Sequence, residues 1–198
     1  MNIRSRMAIG SAVFVLMGVM SPPHLLFAGD QSRAKEIVQQ TCVQCHRLEG
    51  QADSRFNLKA PDLMWAGSKY QRSWLIRWLT GKEAPLYAKG YRWDLTEVPS
   101  KHPMVTESEA HAIADYFSEH NRDPRVKVGA FDLSKVTKFE ATFGGMAYKA
   151  HACLGCHVIE ENGRLIGGPQ SASLVAAGQR YDQDWLFRFG QNPQDFTP

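Results

Sequence analysis

Apolar residues recur at helical spacing along much of this chain, and polar or Pro- and Gly-rich stretches separate the periodic segments. Over 31–46, Ile37 and Val38 form an apolar stripe with Lys35 and Glu36 on the wet side, which predicts a helix. From Tyr70 to Leu79, residues Trp74, Leu75, Trp78 and Leu79 share one side of a second predicted helix. Gly81 and Pro85 stop it. Residues 82–103 are rich in Pro, Gly, Tyr and Lys without a sustained period and read as a long loop. Thr106-Glu107-Ser108-Glu109 is a capping box. It opens a helix that turns Ala110, Ile113, Ala114 and Phe117 inward and ends near Asn121. Asn121–Arg125 has the composition of a hinge. No strand pattern persists, so the expected class is all-α.

The pattern then starts again. Residues 66–78 recur as residues 177–189, with six of thirteen positions identical, at an offset of 111 residues. The same offset separates Cys42-Val43-Gln44-Cys45-His46 from Cys153-Leu154-Gly155-Cys156-His157, and the two motifs use all four cysteines. C-x-x-C-H is the attachment signal for a c-type haem. On a helix, positions i, i+3 and i+4 share a face, so two thiols can bond the haem vinyls while the adjacent imidazole reaches the iron. A zinc site is the first alternative, but zinc ribbons place their pairs roughly 15–20 residues apart and do not explain a His after each pair. A dithiol redox pair is the second, and its usual βαβ setting is missing. The shared offset means two copies of one domain, each small enough to have a thin core.

Charge and the N-terminus change the picture only in location. A basic start, Met1 to Arg6, leads into an apolar run from Met7 to Met20, then Pro22-Pro23 and a stretch ending at Ala28. That order reads as a secretory signal, 1–28, with cleavage after Ala28, and places the protein in the periplasm. The run falls short of the ~20 residues of a spanning helix, so membrane association is expected only if the signal is retained as an anchor. The formal charge of +3 falls towards neutrality once Arg4 and Arg6 are removed. No basic patch suited to nucleic acid is visible.

Each half resembles a class I cytochrome c domain, and the whole is similar to a tandem diheme cytochrome c. Beyond the motifs, Ala60-Pro61-Asp62-Leu63 and Gly168-Pro169 to Leu174 resemble the family's Gly-Pro-x-Leu segment. The resemblance implies an all-α fold with domains at 29–121 and 136–198, a linker at 122–135, and two covalent haems. It implies thioether bonds at Cys42, Cys45, Cys153 and Cys156, and His46 and His157 as proximal iron ligands. It implies a distal Met from the loop before the last helix, and Met104 stands there. The family usually has Pro after that Met, whereas here Pro103 precedes it, so His102 competes as the sixth ligand. Tyr70, Trp74, Tyr181 and Trp185 resemble residues that line the haem or reach a propionate; core packing explains them equally.

The expected function is electron transfer between redox partner proteins, as a carrier and not a catalyst. The rival is an open-haem enzyme or gas sensor, peroxidase-like or binding NO and CO, because no Met follows Met146 and no His follows His157. The second half also lacks a counterpart of the capped helix at 106–121, so the chain as given is expected to be truncated at its C-terminus.

Overall fold

The computed structural model describes residues 24–50, 60–83, 101–168 and 170–196. The expected export signal lies almost wholly outside them, as do most of the 82–103 loop and Pro169. Helix α1 spans His24–Gln40, α2 Ala66–Lys69, α3 Arg72–Leu79 and α4 Glu107–His120. After the linker come α5 (Lys138–Ala150), a two-stranded antiparallel hairpin of β1 (Ile159–Glu161) and β2 (Arg164–Ile166), α6 (Ala177–Arg180) and α7 (Gln183–Gln191). The fold is helical, as expected. Among the described residues no helix is long and apolar enough to cross a membrane.

Helix α4 organises the interior. Thr106 Oγ1 accepts from the Glu109 backbone N–H while the Glu109 carboxylate accepts from the Thr106 N–H, so the predicted capping box forms. Every predicted inward residue of α4 is buried, and Ala112 and Tyr116 join them. They pack on Ala34, Ile37 and Val38 of α1 and on Trp74, Leu75, Ile76 and Leu79 of α3 in one cluster. Helix α2 crosses α4 so closely that a Cβ on Gly67 would lie 1.9 Å from the Phe117 carbonyl oxygen. Only glycine permits that approach, and the Gly67 N–H uses it to donate to the Asn121 carbonyl at 2.9 Å.

Three sequence expectations need correction. The predicted helix over 31–46 begins earlier, at His24, and ends at Gln40; Cys42–Gln44 is a separate 3₁₀ turn. A hairpin exists where no strand was expected. Its turn is Asn162-Gly163, with φ of 52° and 74°, and Asn-Gly suits a tight hairpin because both central residues must be left-handed. The hinge composition at 121–125 is misleading as well. Asp123 is 2% exposed, its N–H donates to Ser68 Oγ, and its carboxylate takes three hydrogen bonds from Arg125, one from the backbone and two from the guanidinium, so this segment is fastened down.

The two repeats meet through equivalent residues. The Gln71 N–H donates to the Arg180 carbonyl at 2.8 Å, and the Asp182 N–H donates to the Lys69 carbonyl at 3.0 Å. Under the 111-residue offset these are one hydrogen bond made twice, so the repeats pair about a pseudo-two-fold axis passing between Tyr70 and Tyr181. Rings stack across that axis: Trp78 on Trp74 at 5.6 Å, Trp74 on Tyr70 at 5.2 Å, Tyr70 on Tyr181 at 5.8 Å. Tyr181, Trp185 and Phe189 continue the row at 5.3 and 5.0 Å.

Candidate haem-binding sites

Each C-x-x-C-H motif folds as one tight turn. The Cys42 carbonyl accepts from the N–H of Cys45 at 3.2 Å and of His46 at 2.9 Å. The Cys153 carbonyl accepts from Cys156 at 3.2 Å and His157 at 3.0 Å. The turn is 3₁₀ and not a continuation of the helix before it. All four cysteines are free thiols; Cys42 and Cys153 are half-buried, Cys45 and Cys156 exposed. Burial pushes the Cys42 thiol up. Among the described residues no three His, Cys, Asp or Glu side chains converge as a zinc site requires.

Both histidines are held in the same way. His46 Nδ1 lies 2.6 Å from the Pro61 carbonyl oxygen, and His157 Nδ1 lies 2.8 Å from the Ala172 carbonyl oxygen, each 15 residues downstream. A carbonyl only accepts, so Nδ1 carries the proton and Nε2 presents its lone pair. That is how a protein aims and tunes a metal-ligating imidazole. Burial lowers the pKa of His46, outweighing the raising effect of the Pro61 bond, which favours the neutral, ligating form.

The accepting carbonyls of Pro61 and Ala172 sit on loops anchored to the motifs. Leu63 N–H donates to the Arg47 carbonyl at 2.9 Å, and Leu174 N–H to the Val158 carbonyl at 2.8 Å. The Arg47–Asp62 ion pair fastens the first loop further. These bonds set the register of the second Gly-Pro-x-Leu-like segment: Ala172 takes the place of Pro61 and Leu174 that of Leu63. Sequence comparison with Gly168-Pro169 missed Ala172 because a carbonyl acts there, and any residue supplies one.

Near the first motif, the His102 ring lies with its centroid 6.3 Å from that of His46 and 5.4 Å from that of Trp78. Its Nδ1 lies 2.8 Å from the Pro103 carbonyl oxygen, and burial lowers its pKa. Met104, the distal ligand that the resemblance implies, is 58% exposed and rests on Gly81, where a Cβ would meet its sulfur at 2.6 Å. The 101–106 segment is pinned beside it by the Val105 N–H on the Leu79 carbonyl at 3.1 Å.

The residues near the pseudo-two-fold axis fit a ligand that carries carboxylates. Trp185 Nε1 and Arg180 Nε are buried without a hydrogen-bond partner among the described residues. Lys69 Nζ lies 5.2 Å over the Tyr70 ring and 5.2 Å over the Trp185 ring. Burial lowers the pKa of Lys69 and raises that of Tyr70. Haem propionates would supply the missing acceptors, and free thiols with Nε2-presenting imidazoles would supply the attachment and the axial bond. The donor set therefore suits haem at both motifs.

No curated protein and no solved structure matches the chain. Residues 31–120 match the family model described as Cytochrome c, a family of electron carriers with covalently attached haem, and that match supports a haem-binding electron-transfer protein.

Proposed function

We propose that this chain is an exported diheme c-type cytochrome that passes single electrons between redox partner proteins. The observation that carries the reading is the doubled histidine geometry: the imidazole of each C-x-x-C-H turn has its Nδ1 on a carbonyl, which leaves Nε2 as the ring's acceptor nitrogen. Haem supplies a one-electron ferrous–ferric couple. The chain's part is to hold and tune it. Cys42, Cys45, Cys153 and Cys156 would attach the two groups, and His46 and His157 would be the proximal ligands. Lys69 and Arg180 would balance propionate charge between the halves, and Trp185 Nε1–H would donate to a propionate. Location in the periplasm is supported by the basic and apolar N-terminal order and by the thioether chemistry, which suits an exported protein.

Denaturing mass spectrometry of protein matured in a periplasm competent for c-type haem tests this directly. Two haem masses are expected on the wild-type chain and one on the double variant Cys153→Ala, Cys156→Ala. A wild-type mass with one haem or none would overturn the diheme reading.

A further inference from the structure

We propose that His102 is the distal iron ligand at the first motif, so that the first haem is held between two histidines, His46 and His102. Resting on the haem attachment proposed above, this concerns only the chain's own side chains, and three features carry it. The first is spacing. Two imidazoles on opposite sides of one metal, each nitrogen about 2 Å from it, place their ring centroids about 6 Å apart. The His46 and His102 centroids are 6.3 Å apart. The second is tautomer. Each Nδ1 faces a proline carbonyl, Pro61 for His46 and Pro103 for His102, which leaves Nε2 of both rings as the free base. The third is fixation. Trp78 lies 5.4 Å from the His102 ring and stacks on the buried Trp74, so the imidazole approaches from a wall already in place.

Met104 rests elsewhere and is 58% exposed. Its sulfur lies against Gly81, just past the end of α3, where φ is +72° and a Cβ would meet it at 2.6 Å. The Val105 N–H holds the neighbouring backbone to Leu79. Pro103 also explains the order of residues. Placed before Met104 and after His102, it supplies the carbonyl that orients His102. The consequence is a first haem of lower potential than a His–Met haem, because methionine ligation raises the potential of a c-type haem.

The test uses the full-length holoprotein and its Met104→Ala and His102→Ala variants, with haem count, ferric optical spectrum and spin state measured on each sample. Ferric haems with a Met ligand resemble one another in a weak far-red charge-transfer band. Met104→Ala is expected to leave spectrum and spin state unchanged; loss of a far-red band, or one haem turning high-spin, would overturn the proposal. His102→Ala is expected to turn one of the two haems high-spin, or to create a far-red band if Met104 takes the vacated position. An unchanged His102→Ala spectrum would overturn it. Because Met104 is exposed, its variant decides the question even if His102→Ala fails to mature. A sample without haem on Cys42 and Cys45 would defeat the attachment reading itself, and the haem count separates that result from a wrong ligand.

Discussion

Gly67 and Gly178 hold the same position in the two repeats, yet their surroundings are opposite. A Cβ on Gly67 would strike the Phe117 carbonyl oxygen, whereas nothing among the described residues lies within 4 Å of one on Gly178. The same contrast runs through the two halves. Residues 34 to 117 supply every member of the buried cluster. Helix α1 buries Ala34, Ile37 and Val38 under α4; the equivalent positions on α5, Gly145, Tyr148 and Lys149, are not buried, nor is any other residue of α5. Part of what the second half buries lies against the first half or the linker. Tyr181 stacks on Tyr70, and the Asp184 carboxylate accepts from the N–H groups of Gly129 and Phe131. Its backbone also carries two left-handed alanines, Ala152 and Ala176, with φ of 57° and 55°, where the first half has Thr41 and Trp65 at −103° and −114°. Such non-glycine residues persist only where their surroundings hold them. A repeated sequence segment thus does not guarantee a repeated interior, because the interior is made by the helix that covers it.

The largest expected effect tests that covering helix. Phe117→Ala removes a side chain that is 2% exposed at the centre of the cluster and should cost about 3–5 kcal/mol of stability. Phe143→Ala, on an α5 face where the equivalent α1 residue is the exposed Ser32, should stay within about 0.5 kcal/mol. Equal losses in denaturant unfolding would show that the second half has an interior of its own.

Next in size is the glycine pair. Gly67→Ala must push α2 away from the α4 backbone and should cost about 1–3 kcal/mol. Gly178→Ala meets open space on a helical turn and should be neutral or stabilising by up to about 1 kcal/mol. Melting curves of the two variants should therefore move in opposite directions, and parallel shifts would contradict the contrast.

The smallest effect concerns the capping boxes. Hydrogen bonds from the Thr106 backbone and side chain, then from Arg33, hold Glu109 below the usual carboxylate range; those from Thr137 do the same for Glu140. A depressed folded-state value means that each carboxylate stabilises above its unfolded pKa, and that this contribution is lost as pH falls through the folded one. Glu109→Gln should flatten the acid limb of the stability profile, since α4 carries the cluster, while Glu140→Gln should leave cooperative unfolding almost unchanged. A larger change from Glu140→Gln would reverse the ranking of the two halves.

By itself, the sequence determined the attachment motifs, their 111-residue repeat, the α4 capping box and the inward face of α4. These rest on local geometry: i, i+3 and i+4 positions meet within one turn, and a cap closes within three residues. The box at Thr137 and Glu140 and the Asn162-Gly163 turn were equally local and could have been read from the same rules. Only the tertiary structure decided which carbonyls orient His46 and His157, that the His102 ring stands 6.3 Å from that of His46, and that the repeats pair through Tyr70 and Tyr181. A carbonyl leaves no mark in the residue that carries it, and the approach of two rings far apart in sequence depends on how the Val105–Leu79 bond holds the 101–106 segment. The burial that separates Gly67 from Gly178 belongs to the same class, because it depends on a helix that lies far from either glycine in sequence and reaches only one of them.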